Sequence, residues 1–121
     1  MAVIDAPIAD RTAQQWLDAW NAHDARAVVA HFANDVTVAS PLIEVRRPGS
    51  GGRLRGRDAV LAYYEEGLRL APDLHFELVE VLCGVDQLTI VYRNQGGVMV
   101  AETLTLSADG TVVAVQVSYG R

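Results

Sequence analysis

The sequence predicts an α+β fold in which helices cover the concave face of a curved antiparallel sheet. Up to Pro72, apolar residues recur at helical spacing, whereas after it they alternate with a period of two. Between Leu78 and Val79 this alternation changes phase, which is typical of a β-bulge that bends a sheet. We therefore expect three N-terminal helices packed on a curved antiparallel sheet, in a single domain that spans residues 1–121.

The first two helices are predicted from apolar stripes and a capping residue. The first spans residues 9–21 and buries a stripe that includes Trp16 and Trp20, after a flexible N-terminus of residues 1–8. Asp24 then precedes a second, shorter helix and is placed to accept a hydrogen bond from its first turn. The residues between these helices are expected to form a turn.

A segment rich in glycine and arginine separates an early strand from the third helix. The strand spans residues 36–40, and residues 43–45 are expected to be extended as well. Residues 46–57 are predicted to form a mobile loop, and the third helix follows at residues 58–71. We expect the arginines of this loop to lie in solvent and pair with surface acids; the alternative is a clamp on an anionic substrate. They are Arg46, Arg47, Arg53, Arg55 and Arg57.

Four further strands are predicted in the second half of the chain, at residues 74–83, 87–94, 98–107 and 111–119. Short turn sequences separate them, so strands that are neighbours in the chain are expected to pair antiparallel. The early strand extends the same sheet.

Composition excludes several classes of function. The formal net charge is -5 and all ten basic residues are arginine, so nonspecific nucleic-acid binding is not expected. No stretch approaches the roughly 20 apolar residues of a membrane span, and we expect a soluble, cytoplasmic protein that does not contact membranes. Cys83 is the single cysteine, so an internal disulfide and a cysteine-based zinc cluster are excluded. His31 and His75 have no partner at metal-ligand spacing, and His23 belongs to the turn before the second helix, so we predict neither a metal site nor a cofactor.

Glu102 is the leading candidate for a functional residue. It lies on the apolar face of a predicted strand, in phase with Val100 and Leu104. Removing an unpaired carboxylate from water costs several kcal/mol, and burial also raises the carboxyl pKa toward neutrality. We therefore predict an internal pocket in which Glu102 acts as an acid or a base. The alternatives are a structural carboxyl that is hydrogen-bonded within the core, or a carboxyl on a dimer surface.

Several other side chains are expected to line the same pocket. An indole N–H, a hydroxyl and two phenols are available to hydrogen-bond to a ligand, and apolar side chains to enclose it. The predicted substrate-binding residues are Trp16, Trp20, Ser40, Tyr63, Tyr92 and Val100.

Three segments together resemble the nuclear transport factor 2-like superfamily, most closely its SnoaL-like and steroid delta-isomerase-like branches. They are the sequence WNAHD at residues 20–24, residues 28–36, and GRDAV at residues 56–60. The resemblance extends from about residue 11 to residue 119 and implies a cone-shaped, cystatin-like α+β fold. It leaves the function open, because this superfamily contains isomerases, cyclases, dehydratases, epoxide hydrolases and members that only bind a ligand.

The resemblance to steroid isomerases also shows where this chain differs from them. Trp16 stands where those enzymes have the tyrosine that donates to the substrate oxyanion, and Ser40 stands where they have the proton-shuttling aspartate. Glu102 corresponds to their protonated acid. Because a serine without an adjacent base cannot take a proton from carbon, ordinary ketosteroid isomerase activity is not expected. In SnoaL-like cyclases the resemblance implies instead a single acidic residue that serves as both acid and base, a role open to Glu102.

The sequence therefore predicts a cofactor-independent isomerase, cyclase or lyase that acts on a small apolar molecule. The alternatives are a carrier or sensor domain without turnover, and a scaffold whose interior is filled by its own side chains. We further expect a homodimer that packs through the outer face of the sheet.

Overall fold

The computed structural model describes residues 3–121, which form a six-stranded sheet with helices on one face. The strands are β1 (Phe32–Ala39), β2 (Arg53–Arg55), β3 (Glu77–Cys83), β4 (Gln87–Arg93), β5 (Met99–Leu106) and β6 (Val112–Tyr119). Their order across the sheet is β2-β1-β6-β5-β4-β3. The four C-terminal strands pair antiparallel, as predicted. β1 extends this meander by pairing with β6 in parallel.

Four helices precede or interrupt the strands: α1 (Ala6–Asn21), α2 (Ala25–Val28), α3 (Pro41–Arg46) and α4 (Arg57–Leu70). A 3-10 turn at Val29–His31 joins α2 to β1. α1 packs against β3, and α4 packs against β1, so the helices cover the apolar face of the sheet. The fold class predicted from the sequence, an α+β cone with helices on a curved sheet, is therefore confirmed.

The predicted bulge is present in β3. Leu78 pairs with Tyr92 and Glu80 pairs with Val91, so two residues advance on β3 while one advances on β4. Val79 is the extra residue, and such a bulge increases the local bend of a sheet. The curvature allows the sheet and the helices to enclose a space between them.

The N-terminal boundaries of the first helices differ from those predicted. α1 begins at Ala6 because the Asp5 carboxylate accepts a hydrogen bond from the Ile8 amide at 3.0 Å, so residues 6–8 belong to the helix and not to a flexible terminus. Val3 also forms an isolated bridge with Val85, whereas residues 1 and 2 lie outside the described part. The predicted second helix is shorter than expected, and β1 begins at Phe32.

The segment around the arginines is also more ordered in its secondary structure than predicted. Residues 43–45 are helical and not extended, because Ser40 caps α3 by accepting a hydrogen bond from the Leu42 amide at 3.3 Å. Residues 46–57 are not a single loop: Arg46 ends α3, Arg57 begins α4, and β2 lies between them as an edge strand paired with β1.

Candidate active site

A cavity of about 630 Å³ lies between the sheet and the helices α3 and α4. This volume is in the range of small-molecule sites, roughly 300–1,000 Å³. Its walls are mostly aromatic and aliphatic, with Phe76, Tyr64 and Val117 among the lining residues. Among the described residues that line it, Glu102 is the one carboxyl.

Glu102 is held at the cavity by its position in the middle of β5. It pairs directly with Ile90 on β4 and with Val117 on β6, and both of these neighbours are buried. Only 6% of the Glu102 surface is exposed. The strand register thus places a carboxyl among apolar side chains, as the period of two predicted.

Tyr92 is the hydrogen-bond partner of Glu102. Its hydroxyl donates to Oε2 of Glu102 at 2.5 Å. The ring of Tyr92 is held by two other aromatic rings, that of Phe76 at 4.1 Å and that of Trp16 at 5.5 Å between centroids. The side chain of Asn21 fixes Phe76 in turn, because it donates to the Phe76 carbonyl at 2.9 Å and accepts from the Phe76 amide at 2.7 Å. The orientation of the phenol is therefore set by packing.

Burial controls the protonation of this pair. The loss of hydration raises the pKa of Glu102 to about 7, although the hydrogen bond from Tyr92 acts in the opposite direction by stabilising the carboxylate. Burial and the adjacent charge of Glu102 raise the pKa of Tyr92 far above its ordinary value. Tyr92 therefore keeps its proton at neutral pH, while Glu102 is poised to gain or lose one.

Three residues that line the cavity carry a buried donor with no hydrogen-bond partner among residues 3–121: Nε1 of Trp20, Nε of Arg46 and the hydroxyl of Tyr63. Burying an unpaired polar group costs about 1–3 kcal/mol, so such groups are expected to serve a ligand. Ser40 also lines the cavity, but its hydroxyl oxygen caps α3. Trp20, Tyr63 and Arg46 therefore carry donors that no described residue uses.

The structure brings five of the seven predicted site residues together at the cavity wall: Trp20, Ser40, Tyr63, Tyr92 and Glu102. Two predicted substrate-binding residues do not line it. Trp16 lies on α1 against the rings of Phe76 and Tyr92, so it supports the wall from behind. Val100 pairs directly with Tyr92 and Tyr119, and these larger residues line the cavity in its place.

Tyr119 and Arg46 are among the lining residues that were absent from the predicted substrate-binding set. Tyr119 follows Val115 and Val117 at intervals of two on β6, so the strand periodicity carried a signal for it. Arg46 lines the cavity as the last residue of α3, whereas residues 43–45 were predicted to be extended and Arg46 to begin a mobile loop. The adjacent Arg47 binds Glu66 on α4, as expected for a surface arginine.

Within the described residues, no group of three or more His, Cys, Asp or Glu side chains is arranged to hold a metal ion. None of the described helices is long and apolar enough to cross a membrane.

The sequence profile of the SnoaL-like domain family matches residues 13–119, which is nearly the whole chain. The chain belongs to the SnoaL-like family. This confirms the resemblance found in the sequence. The chain is also similar to a SnoaL-like protein of unknown function from Burkholderia thailandensis, with 38% identity, a TM-score of 0.94, and coverage of 99% of this chain and 100% of that one.

More distant structures share the fold of this SnoaL-like domain. A protein from Sinorhizobium meliloti that is provisionally named a polyketide cyclase has 18% identity and a TM-score of 0.72, over 89% of this chain and 94% of its own. One from Kribbella flavida, provisionally named a ketosteroid isomerase, has 19% identity and a TM-score of 0.72, over 92% and 76%. Among curated proteins, none matches the chain in sequence. The family and the fold are therefore established, and the activity must be argued from the cavity.

Proposed function

We propose that this SnoaL-like domain is a cofactor-independent enzyme of the isomerase, cyclase or lyase type. Its substrate is a small, mostly apolar molecule with an acidic C–H bond next to a carbonyl group. The observation that carries the proposal is the carboxyl of Glu102, buried at a cavity of substrate size with a pKa near 7. Names given to distant structures of the same fold, a polyketide cyclase and a ketosteroid isomerase, describe chemistry of this kind.

The first step is removal of a proton from carbon. The ionised form of Glu102 takes the proton, and the electron pair of the C–H bond moves to the carbonyl oxygen to form an enolate. The unpaired N–H of Trp20 and O–H of Tyr63 are the donors available to this oxygen. Because a base is most effective when its pKa is near the working pH, the buried position of Glu102 favours this role.

The second step distinguishes the reaction types. In an isomerisation, the protonated Glu102 returns the proton to a different carbon of the enolate. In a cyclisation, the enolate carbon attacks a second carbonyl group of the same molecule, and Glu102 gives its proton to the new alkoxide. Both routes regenerate the carboxylate and need no second base, in agreement with a cavity whose single carboxyl among the described residues is Glu102.

Exchange of carbon-bound hydrogen for deuterium tests the proposal whatever the final product of the reaction is. Cyclic ketones, enones and 1,3-dicarbonyl compounds that bind the protein are incubated with it in D₂O and followed by mass spectrometry. We expect the wild type to accelerate exchange and Glu102→Gln to abolish the acceleration while still binding the compound. Equal exchange by the two proteins would contradict the role of Glu102.

A carrier or sensor without turnover is the second candidate. It is favoured by Ser40, which occupies the position of the isomerase aspartate but caps α3 and supplies no base. In the same experiment, compounds that bind tightly but are never exchanged by the wild type would support this function over catalysis. Mass spectrometry of compounds released from the natively purified protein would then identify the cargo.

We also propose that the protein is a homodimer that packs through the outer face of the sheet. On this face, β5 and β6 present small or uncharged side chains, including Ala101, Thr103 and Ala114. Thr103→Arg would place a charge at the centre of such an interface and should produce a folded monomer by light scattering. The cytoplasmic location stays a prediction.

A further inference from the structure

We propose that the substrate is an amphiphilic acid whose anionic group binds Arg46 at the mouth of the cavity, with its apolar body inside. This inference rests on the proposed function only in taking the same cavity as the binding site. It adds a class of substrate, since acid–base chemistry at Glu102 does not itself require a charged molecule.

The charges around Arg46 do not balance. Arg47 donates to both carboxylate oxygens of Glu66, at 3.2 Å to Oε1 and 2.9 Å to Oε2. Arg46 contacts the same carboxylate through Nη2 at 2.9 Å. Two guanidinium groups therefore share one carboxylate, and one positive charge is left over. Because Arg47 already binds Glu66 in a bidentate manner, the excess charge belongs to Arg46.

Arg46 is held with part of its hydrogen-bonding capacity unused. Nη2 also donates to the carbonyl oxygen of Tyr63 at 3.1 Å, and the guanidinium lies 3.9 Å from the centroid of the Tyr63 ring. Nε is buried without a partner, and no hydrogen bond within residues 3–121 uses Nη1. The side chain is 12% exposed. A carboxylate bound here would be attracted by the excess charge and would accept a hydrogen bond from the guanidinium.

The surroundings of Arg46 fit an amphiphilic molecule. Three lining residues near it expose apolar side chains to solvent: Leu42 is 42% exposed, Val45 is 73% exposed and Leu70 is 68% exposed. The mouth of the cavity thus combines one cation with an apolar rim. Burial and the Tyr92 hydrogen bond set the pKa of Glu102. The anionic end of a substrate would then contact Arg46, and its apolar body would lie inside the cavity with Glu102.

A pair of fluorescent probes with one carbon skeleton tests this inference. The anionic probe is 1-anilinonaphthalene-8-sulfonate, and the neutral probe is N-phenyl-1-naphthylamine. Because a hydrogen bond to a charged group contributes about 1.5–3 kcal/mol, Arg46→Gln should weaken the anionic probe about 10-fold or more and change the neutral probe less than about 2-fold. Arg69→Gln, at an exposed arginine on α4, is the matched control and should change neither.

A second variant covers the case in which Arg46→Gln does not fold. A methyl group added at Gly67 would lie 2.9 Å from Nη1 of Arg46, so Gly67→Ala should displace the guanidinium without removing it. We expect a smaller loss of the same sign, again confined to the anionic probe.

The inference is wrong if the wild type does not bind the anionic probe, or if the Arg46 variant weakens both probes or neither. Glu102→Gln should leave the ratio of the two probe affinities unchanged. The proposed substrate class and the proposed acid–base role can therefore be tested independently. A variant that loses deuterium exchange but keeps the ratio of probe affinities bears on the role of Glu102. A variant that keeps exchange but loses the preference for the anionic probe bears on the role of Arg46.

Discussion

Replacing Glu102 with glutamine should change how the stability of the protein depends on pH. Glutamine has nearly the same shape and can still accept the hydrogen bond from Tyr92, but it does not titrate. In the unfolded chain the Glu102 carboxyl has a pKa of 4.5, whereas in the folded protein burial raises it to about 7. Between these two values the folded protein holds a proton that the unfolded chain has released.

The sign and size of the effect follow from this difference in pKa. Because the folded state binds more protons in this range, the free energy of unfolding falls as pH rises from 4.5 to about 7. Each unit of pKa difference corresponds to about 1.4 kcal/mol, so the total loss attributable to Glu102 is about 3 kcal/mol. The loss is complete above pH 7 and absent below the unfolded pKa. Glu102→Gln should therefore gain about 3 kcal/mol relative to wild type between pH 4.5 and pH 8.

Urea unfolding at a series of pH values measures this difference. The buried indoles of Trp16 and Trp20 report unfolding by fluorescence. Two other carboxyls titrate at lower pH. A hydrogen bond from Arg47 lowers the pKa of Glu66 to about 2, and a hydrogen bond from Ser107 lowers the pKa of Asp109 to about 2. Their stabilisation is lost only as pH falls toward 2, and it cancels when the two proteins are compared.

One outcome would refute the reasoning. If the difference in unfolding free energy between the variant and the wild type stays constant from pH 4.5 to pH 8, Glu102 titrates alike in the folded and unfolded chains. A titration of the Glu102 carboxyl carbon by NMR gives the same answer directly. A midpoint near 4.5 would show that the carboxyl is not desolvated and would remove the basis for an acid–base role.

Three further predictions concern groups around the cavity. Tyr92→Phe removes the hydrogen bond that stabilises the carboxylate, so the pKa of Glu102 should rise further, by about 1–2 units in an NMR titration; a fall would contradict this. Ser40→Ala removes the cap of α3 and should lower the free energy of unfolding by about 1 kcal/mol in urea, with Ser40→Thr, which keeps the capping hydroxyl, as the conservative control. Asn21→Ala removes two hydrogen bonds to the backbone of Phe76 and should destabilise the fold by about 1–3 kcal/mol in the same assay, whereas a change below about 0.5 kcal/mol would mean that these bonds do not stabilise it.

The sheet could be predicted from the sequence because its signals are local. Alternation with a period of two identified the four C-terminal strands, and the phase change at Leu78 located the bulge. The same alternation placed Glu102 on the buried face, since the face of a residue in a strand follows from its position alone. Burial of Glu102 was therefore available from the chain, whereas its partner required the register between strands.

The remaining parts of the site depend on contacts between distant residues. Tyr92 is diagonal to Glu102 across the sheet, so the pair exists only in the observed register. The expected roles of Trp16 and Val100 failed for a related reason, because both residues are buried but other side chains line the cavity in their place. α3 was not predicted because its start depends on the Ser40 cap. Without that helix, the sequence could not place Arg46 at the cavity.

The balance of energies at Glu102 is itself an argument for chemistry. A glutamine in this position would accept the same hydrogen bond from Tyr92 and would fill the same space, without the loss of about 3 kcal/mol that a titrating carboxyl imposes above pH 7. The space at this position and the hydrogen bond from Tyr92 therefore do not require an acid here. What a carboxyl provides and an amide does not is a proton that can be exchanged near neutral pH. Because domains of this size are stable by only about 5–15 kcal/mol, such a loss is large, and the proton transfer that we propose would give it a physical reason.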